Sequence, residues 1–301
     1  MAWKQLFLES PAVLRLKKSL LEVQTGWEPV TVPLEDLDVL LIESRRTELT
    51  AAVLAALAQH GCAVLLCDEK HLPCAALLPY AQHSRQPEVL QRQLALREPQ
   101  KKRLWQQVVR AKVANQAACL RLCGRPTEAA ALDALCGRVL SGDTGNVEAT
   151  AAARYFPALF GAGFTRTDEA DLRNAALHYG YAVLRGAVAR SVAAAGLLPA
   201  AGLHHRNLLN AFNLADDLIE PFRPVVDLYV AQHLWADDPL TGQVKQALFS
   251  LLNVDMQAGG QRHTVSRAAE QLVQSFVRCC AGEADALLLP ALLPLKQHRY
   301  E

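Results

Sequence analysis

Residues 79–122 read PYAQHSRQPEVLQRQLALREPQKKRLWQQVVRAKVANQAACLRL, and at this stretch the chain changes character. Strand signals stop after Pro79, and a long helical pattern runs from about Pro87 to Leu122. Upstream the runs are short. Lys4 to Leu8, Val13 to Lys17, Leu21 to Gln24 and Val30 to Val32 are strand-length and are broken by the turn-like ESP, KKS and TGWEP. Leu37 to Ile42 reads as an apolar strand, Thr47 as the cap of a helix from Glu48 to Gln59 that stops at Gly61, and Cys62 to Cys67 as a further strand. Downstream, helical patterns cover about Pro126 to Leu140, Asn146 to Phe160, Glu169 to Ala195, Leu214 to Trp235, Gly242 to Leu252 and Val265 to Ala281, with glycines as stop signals between them. The expected fold class is α+β: a small β-rich domain over residues 1–80, then a larger all-α domain over residues 81–301, joined near Leu78 to Pro87.

Apolar residues make up 51% of the 301, yet none of their runs approaches the roughly 20 residues that span a bilayer. The N-terminal MAWKQLFLESPAVLRL carries Glu9 and lacks a basic segment leading into an apolar one, so a cytoplasmic location without membrane contact is expected. The eight cysteines lie in alanine- and leucine-rich surroundings without paired zinc-type spacings and read as reduced core thiols. Cys62, Cys67, His71 and Cys74 come nearest to a zinc pattern, but GCAVLLCD has the look of a buried strand.

The net charge of +1 hides an uneven distribution. Residues 81–125 hold ten Lys or Arg against Glu88 and Glu98 alone, while both flanking regions are net acidic. A solvated helix face is one reading of such a stripe. The other is a phosphate-backbone contact through Arg85, Arg92, Lys101, Lys102, Arg103, Arg110 and Lys112.

Two segments carry the residue types of metal chemistry. GLHHRNLLNAFNLADDLIEPFRPVVD, residues 202–227, sets His204 and His205 before Asp216, Asp217 and Glu220. GDTGNVEATAAARYF, residues 142–156, places Glu148 above small residues that let another helix approach. Asn213 can cap the helix that follows it, and acids in a first turn are favoured by the helix dipole, which accounts for Asp216 and Asp217 without any ligand. Glu220 lies beyond that turn, before two prolines that imply an irregular backbone. Composition alone does not choose between His204 and His205. Carboxylates with one imidazole suit Mg²⁺ or Mn²⁺ better than structural zinc.

NVEATAAARYFPALFG from Asn146, NAALHYGYAVLR from Asn174 and GLHHRNLLNAFNLADDLIEPFRP from Gly202 resemble the signature blocks of the CRISPR-associated integrase, first of the two adaptation proteins, in its type II subgroup. The resemblance extends to about Asp227. It implies that Glu148, His205 and Glu220 bind one divalent metal and carry catalysis, with Asp217 as an additional acid near the metal. It is the family's fifteen-residue interval that selects His205 over His204. The implied reaction is a transesterification joining the 3′-hydroxyl ends of foreign DNA fragments to a CRISPR repeat, with nuclease and disintegration activity at the same site. The resemblance further implies a homodimer paired through the β domains, a small ferredoxin-like dimer of the second adaptation protein as partner, and help from the type II effector nuclease. Two rival readings are a metal-dependent structure-specific nuclease that does not integrate, and a non-catalytic DNA-binding scaffold.

Overall fold

A computed structural model describes residues 4–79 and 83–299. The expected boundary between residues 80 and 81, and the end of the chain at Tyr300 and Glu301, lie outside the described residues. The N-terminal part contains β1 (Lys4–Leu8), β2 (Val13–Lys17), β3 (Leu20–Gln24), β4 (Val30–Pro33), β5 (Leu37–Ile42), a short β6 (Glu48–Leu49), helix α1 (Ala51–Gln59), β7 (Ala63–Cys67) and β8 (Pro73–Leu77). They form two sheets. One has the order β1-β5-β7-β8, with the first three strands parallel and β8 antiparallel; the other has the order β4-β3-β2-β6.

The mostly helical remainder contains α2 (Gln86–Leu94), α3 (Glu98–Leu122), α4 (Pro126–Cys136), α5 (Val147–Phe160), α6 (Arg173–Ala194), α7 (Asn213–Leu218), α8 (Arg223–His233), α9 (Gly242–Ser250), β9 (Val254–Ala258), β10 (Gln261–Thr264), α10 (Val265–Ala281) and β11 (Ala291–Gln297). The arrangement of a β-rich part followed by a helical one is the expected α+β class.

Strands β5 and β7 belong to two cores at once. Because successive side chains of a strand point to opposite faces, Leu40, Ile42 and Val64 join the N-terminal core, while Val39, Leu41 and Leu65 pack into the helical one. Helix α6 is buried on nearly every side, and its glycines bring neighbours close. A Cβ on Gly180 would stand 2.5 Å from Val226 Cγ1, and one on Gly186 would stand 2.6 Å from Leu65 Cδ1. Polar ties cross the same seam: Arg190 of α6 reaches Asp38 Oδ1 at 2.6 Å and the Gly61 carbonyl at 2.7 Å, and within the helical part it holds Glu270 Oε1 at 2.8 Å.

The helical part is not all-α as expected. Strands β9, β10 and β11 form an antiparallel sheet in the order β10-β9-β11. The β9–β10 hairpin turns at Gly259 and Gly260, whose φ values of 59° and 80° suit a tight two-residue turn. Reading Gly259 as a helix stop missed that Gly-Gly between two short runs is a hairpin signal. In β11 the register slips between Leu292 and Gln297, where Pro294 has no N–H to donate.

Other boundaries also shift. Glu48 and Leu49 pair in parallel with β2, and it is Thr50, not Thr47, whose side chain accepts the Val53 N–H and caps α1. The single helix expected over 87–122 is two helices, because Pro99 needs the first turn of a new one and Arg97 with Gln100 closes its start. Strand β8 was absent from the sequence reading. All eight cysteines are free as expected, but Cys74 is exposed rather than a core thiol.

Candidate metal centre

Glu148 sits in the first turn of α5. Asn146 is left-handed (φ 50°) and makes no side-chain cap; Asp143 replaces it, accepting the Val147 N–H at 2.9 Å and the Glu148 N–H at 3.0 Å. Glu220 comes from a distant part of the chain. Helix α7 ends at Leu218, and Glu220, Pro221 and Phe222 form one 3-10 turn before α8. Neither Pro221 nor Pro224 can donate a helical hydrogen bond, so the backbone tightens here. Asn115 of α3 pins the turn, donating to the Pro221 carbonyl at 2.7 Å and to the Pro290 carbonyl at 3.0 Å.

The two glutamates meet at Lys112. Its Nζ lies 2.6 Å from Glu148 Oε1 and 2.5 Å from Glu220 Oε2, while Arg223 Nε donates to Glu220 Oε1 at 2.9 Å. Burial works to raise the pKa of the Glu220 carboxyl, but Lys112 and Arg223 outweigh it and hold the group below the usual carboxylate range. The Lys112 ammonium shows the converse: burial opposes its charge, and Glu220 and Glu148 more than compensate. Lys112 therefore belongs to this pocket and not to the surface stripe in which the sequence reading placed it.

His205 stands on the loop before α7 with its ring held by Asp217, Nδ1 to Oδ1 at 2.6 Å. Asp217 is fully buried and also accepts the backbone N–H groups of Leu203, His204 and His205. With both oxygens so engaged, Asp217 orients the imidazole from behind and leaves Nε2 as the ring's outward donor. The hydrogen bond to Asp217 raises the His205 pKa against burial, with Asp217, Glu220 and Asp216 adding to the effect. His204 stacks on Trp105, ring centroids 4.5 Å apart and planes 4° from parallel. Asp216 is taken by Arg185, whose Nε is 2.7 Å from Oδ1. Asn213 does not cap α7: it is the helix's first residue, and its amide donates to the Ala200, Asn207 and Asn210 carbonyls, closing the loop on itself.

Behind the site a buried carboxylate ties three helices. Asp227 of α8 accepts hydrogen bonds from Tyr155 of α5, at 2.9 Å, and from Tyr181 of α6. Burial pushes its pKa up to about 6 although both tyrosines work in the other direction. Asp227, Asp143 and Asn115 are not among the site residues expected from the sequence. Asp143 four residues before a helix start was a visible signal; the other two have none, because their partners are distant in sequence.

Among the described residues, no group of three His, Cys, Asp or Glu is already drawn together as a metal cage. The donor chemistry nevertheless fits a hard divalent ion. Two carboxylate oxygens converge on one cation position, held here by an ammonium, and the buried Glu220 Oε2 has no directed hydrogen bond.

The basic stripe divides on folding. Lys102 and Arg103 are exposed, and so is Arg85; Arg92 pairs with Glu88 at 2.5 Å, Lys101 with Glu98 at 3.8 Å, and Arg110 donates to the Val139 carbonyl. Lys102 lines a cleft of about 260 Å³ with Trp105, His204 and Arg206, on the side of the histidine loop. Arg103, a helical step of about 100° further round, lines a different depression with Leu96 and Asp285.

A β-rich part followed by a mostly helical part is an arrangement shared with known structures. Residues 6–238 match the family model of CRISPR-associated protein Cas1, and the chain belongs to that family. It is 47% identical over 306 residues to a CRISPR-associated endonuclease Cas1 from Neisseria meningitidis serogroup C, covering 100% of each chain. In fold it resembles a casposase bound to its integration product, with a TM-score of 0.75, 20% identity, and coverage of 95% of this chain and 92% of the other. It also resembles a Cas6-RT-Cas1–Cas2 complex, with a TM-score of 0.72, 18% identity, and coverage of 95% of this chain and 36% of that one. Among the described residues no helix is long and apolar enough to cross a membrane.

Proposed function

We propose that the protein is a Mg²⁺- or Mn²⁺-dependent DNA integrase of CRISPR adaptation. The observation that carries this reading is the convergence of Glu148 and Glu220 on one cation position, beside an imidazole that Asp217 orients. Glu148, Glu220 and His205 Nε2 would hold the ion, which when bound supplies a Lewis acid for the scissile phosphate. Arg223 keeps Glu220 ionised and aimed, and Asp217 fixes the imidazole's rotation. In the reaction, the 3′-oxygen of a DNA fragment forms a bond to phosphorus at the edge of a repeat. The phosphorus stays with the repeat, its bond to the 3′-oxygen of the flanking nucleotide breaks, and the proton lost by the attacking hydroxyl is balanced by the one gained at the new 3′-hydroxyl. No bond to the protein forms. The exposed cations of the stripe, Lys102 in the cleft and Arg85 elsewhere on the surface among them, would meet the DNA backbone.

The casposase and its integration product favour strand transfer, and the Cas1–Cas2 assembly favours a small second adaptation protein as partner. A homodimer paired through the N-terminal sheets, cooperation with a type II effector nuclease and a cytoplasmic setting complete the reading. The name endonuclease on the Neisseria relative favours a second reading, cleavage without joining. Incubating the purified protein with a linear fragment and a supercoiled repeat plasmid in Mn²⁺ separates the two: joined product supports integration, and nicks alone support the nuclease. Loss of joining in Glu148→Ala and His205→Ala with the fold retained is expected. DNA binding without joining or nicking in the native protein, unchanged in both variants, would leave only a scaffold.

A further inference from the structure

Lys112 is the least expected member of the centre. A lysine at this depth is rare unless paired, and its side chain is 13% exposed. Its two acceptors, Glu148 Oε1 and Glu220 Oε2, are the oxygens that converge on the cation position. Glu220 has no spare alternative, because Arg223 already occupies Oε1 at 2.9 Å. A divalent ion bound to Glu220 must therefore approach the oxygen on which the ammonium rests at 2.5 Å. Oxygen ligands hold Mg²⁺ or Mn²⁺ at about 2.1 Å, so ion and ammonium would lie within a few ångströms of each other in a poorly solvated pocket and repel strongly. The two cannot share the seat.

The geometry points to Lys112 as a resident counter-cation that competes with the divalent metal for Glu148 and Glu220, so that metal loading requires the ammonium to leave. This rests on the metal-centre reading above and adds to it. Without an ion, Lys112 neutralises the half-buried Glu148 and the oxygen of the buried Glu220 that Arg223 does not hold. With an ion, the same neutralisation comes from the metal, and the lysine's four-carbon stem must turn away. Lys112 thus lowers the apparent metal affinity while it stabilises the metal-free fold.

The test is Mn²⁺ binding to the full chain, followed by calorimetry and by the paramagnetic signal of free Mn²⁺, in the native protein and in Lys112→Met, Lys112→Gln and Lys112→Arg. The neutral variants should bind Mn²⁺ about tenfold or more tightly than the native chain, and Lys112→Arg should stay near native. Their melting temperature should rise more on adding Mn²⁺ than the native protein's does. Unchanged or weaker binding in Lys112→Met and Lys112→Gln overturns the competition. In the native protein, where no variant needs to fold, Mn²⁺ should increase acylation of Lys112 several-fold relative to the other lysines, and unchanged labelling counts against the idea. Glu148→Gln marks the site: binding that survives it intact, or no binding in any form of the protein, sinks the metal-centre reading itself. Binding that Glu148→Gln weakens but neutral Lys112 variants leave alone sinks only the role of Lys112.

Discussion

The Oδ1 atom of Asp217 lies 2.6 Å from Nδ1 of His205, while the same carboxylate gathers three backbone N–H groups of the loop that carries the histidine. One buried side chain thus sets both the path of the loop and the rotation of the ring. Asp217→Asn should keep the fold but weaken Mn²⁺ binding by about 10- to 100-fold, as replacement of a residue behind a ligating histidine typically does. Asp217→Ala leaves loop donors unpaired and should also lower stability by about 2 kcal/mol or more. Metal titration and urea unfolding read the two effects separately. Native metal affinity in Asp217→Asn would show that the imidazole needs no such support.

Lys102 and Arg103 adjoin in sequence yet face different depressions. Lys102→Glu should weaken duplex DNA binding and reduce the salt slope by about one unit, and Arg103→Glu should do so less. Filter binding across a salt series checks the order of the two.

Asp227 gives a pH dependence of stability. Its pKa is raised to about 6, so the native state holds a proton that the unfolded chain has released. Its contribution is fully present below the unfolded value near pH 4 and is lost as the pH rises through about 6, amounting to about 3 kcal/mol. Urea midpoints measured between pH 4 and 7 should fall with rising pH in the native protein and fall less in Asp227→Asn. Equal slopes would assign the effect to another group.

Gly180→Ala should destabilise by about 1–3 kcal/mol, since Val226 blocks the added methyl. Val226→Ala opens a cavity when made alone but should recover part of the loss in the double variant. Simple additivity in thermal unfolding would mean that α6 and α8 adjust independently.

Arg190→Met removes the shared partner of Asp38 and Glu270 and should cost about 3–5 kcal/mol, because the buried Asp38 carboxyl, whose pKa burial already raises, loses the guanidinium that offsets that burial. Chemical denaturation measures the loss, and a change under 1 kcal/mol would show that the seam is held by apolar contacts alone.

Sequence periodicity made much of the architecture legible. β1, β2, β5 and α10 occur over the residues expected from local pattern, since each is a single uninterrupted run. The break before α3 was missed because proline at a helix start and proline inside a helix look alike until the preceding turn is seen. The β9–β10 hairpin is hidden when its Gly-Gly turn is taken for a helix stop, and β11 is hidden because it lies far in sequence from its partner β9. At the site, the types and spacing of Glu148, His205 and Glu220 were readable with the family's pattern in hand. The roles of Lys112 and Asp217 were not. Each depends on which atoms it faces across 36 and 12 residues of chain, and a helical wheel places Lys112 on a face without naming what stands opposite.

The alternation along β5 and β7 bears on how the chain comes apart. Leu40 and Val39 are neighbours in sequence but anchor different cores. Melting the N-terminal sheet strips a wall from the helical part, and loosening α6 uncovers Leu65. Neither half can shed its structure and leave the other intact, so the seam makes the molecule fail as one body, and a damaging change on either side is felt on both.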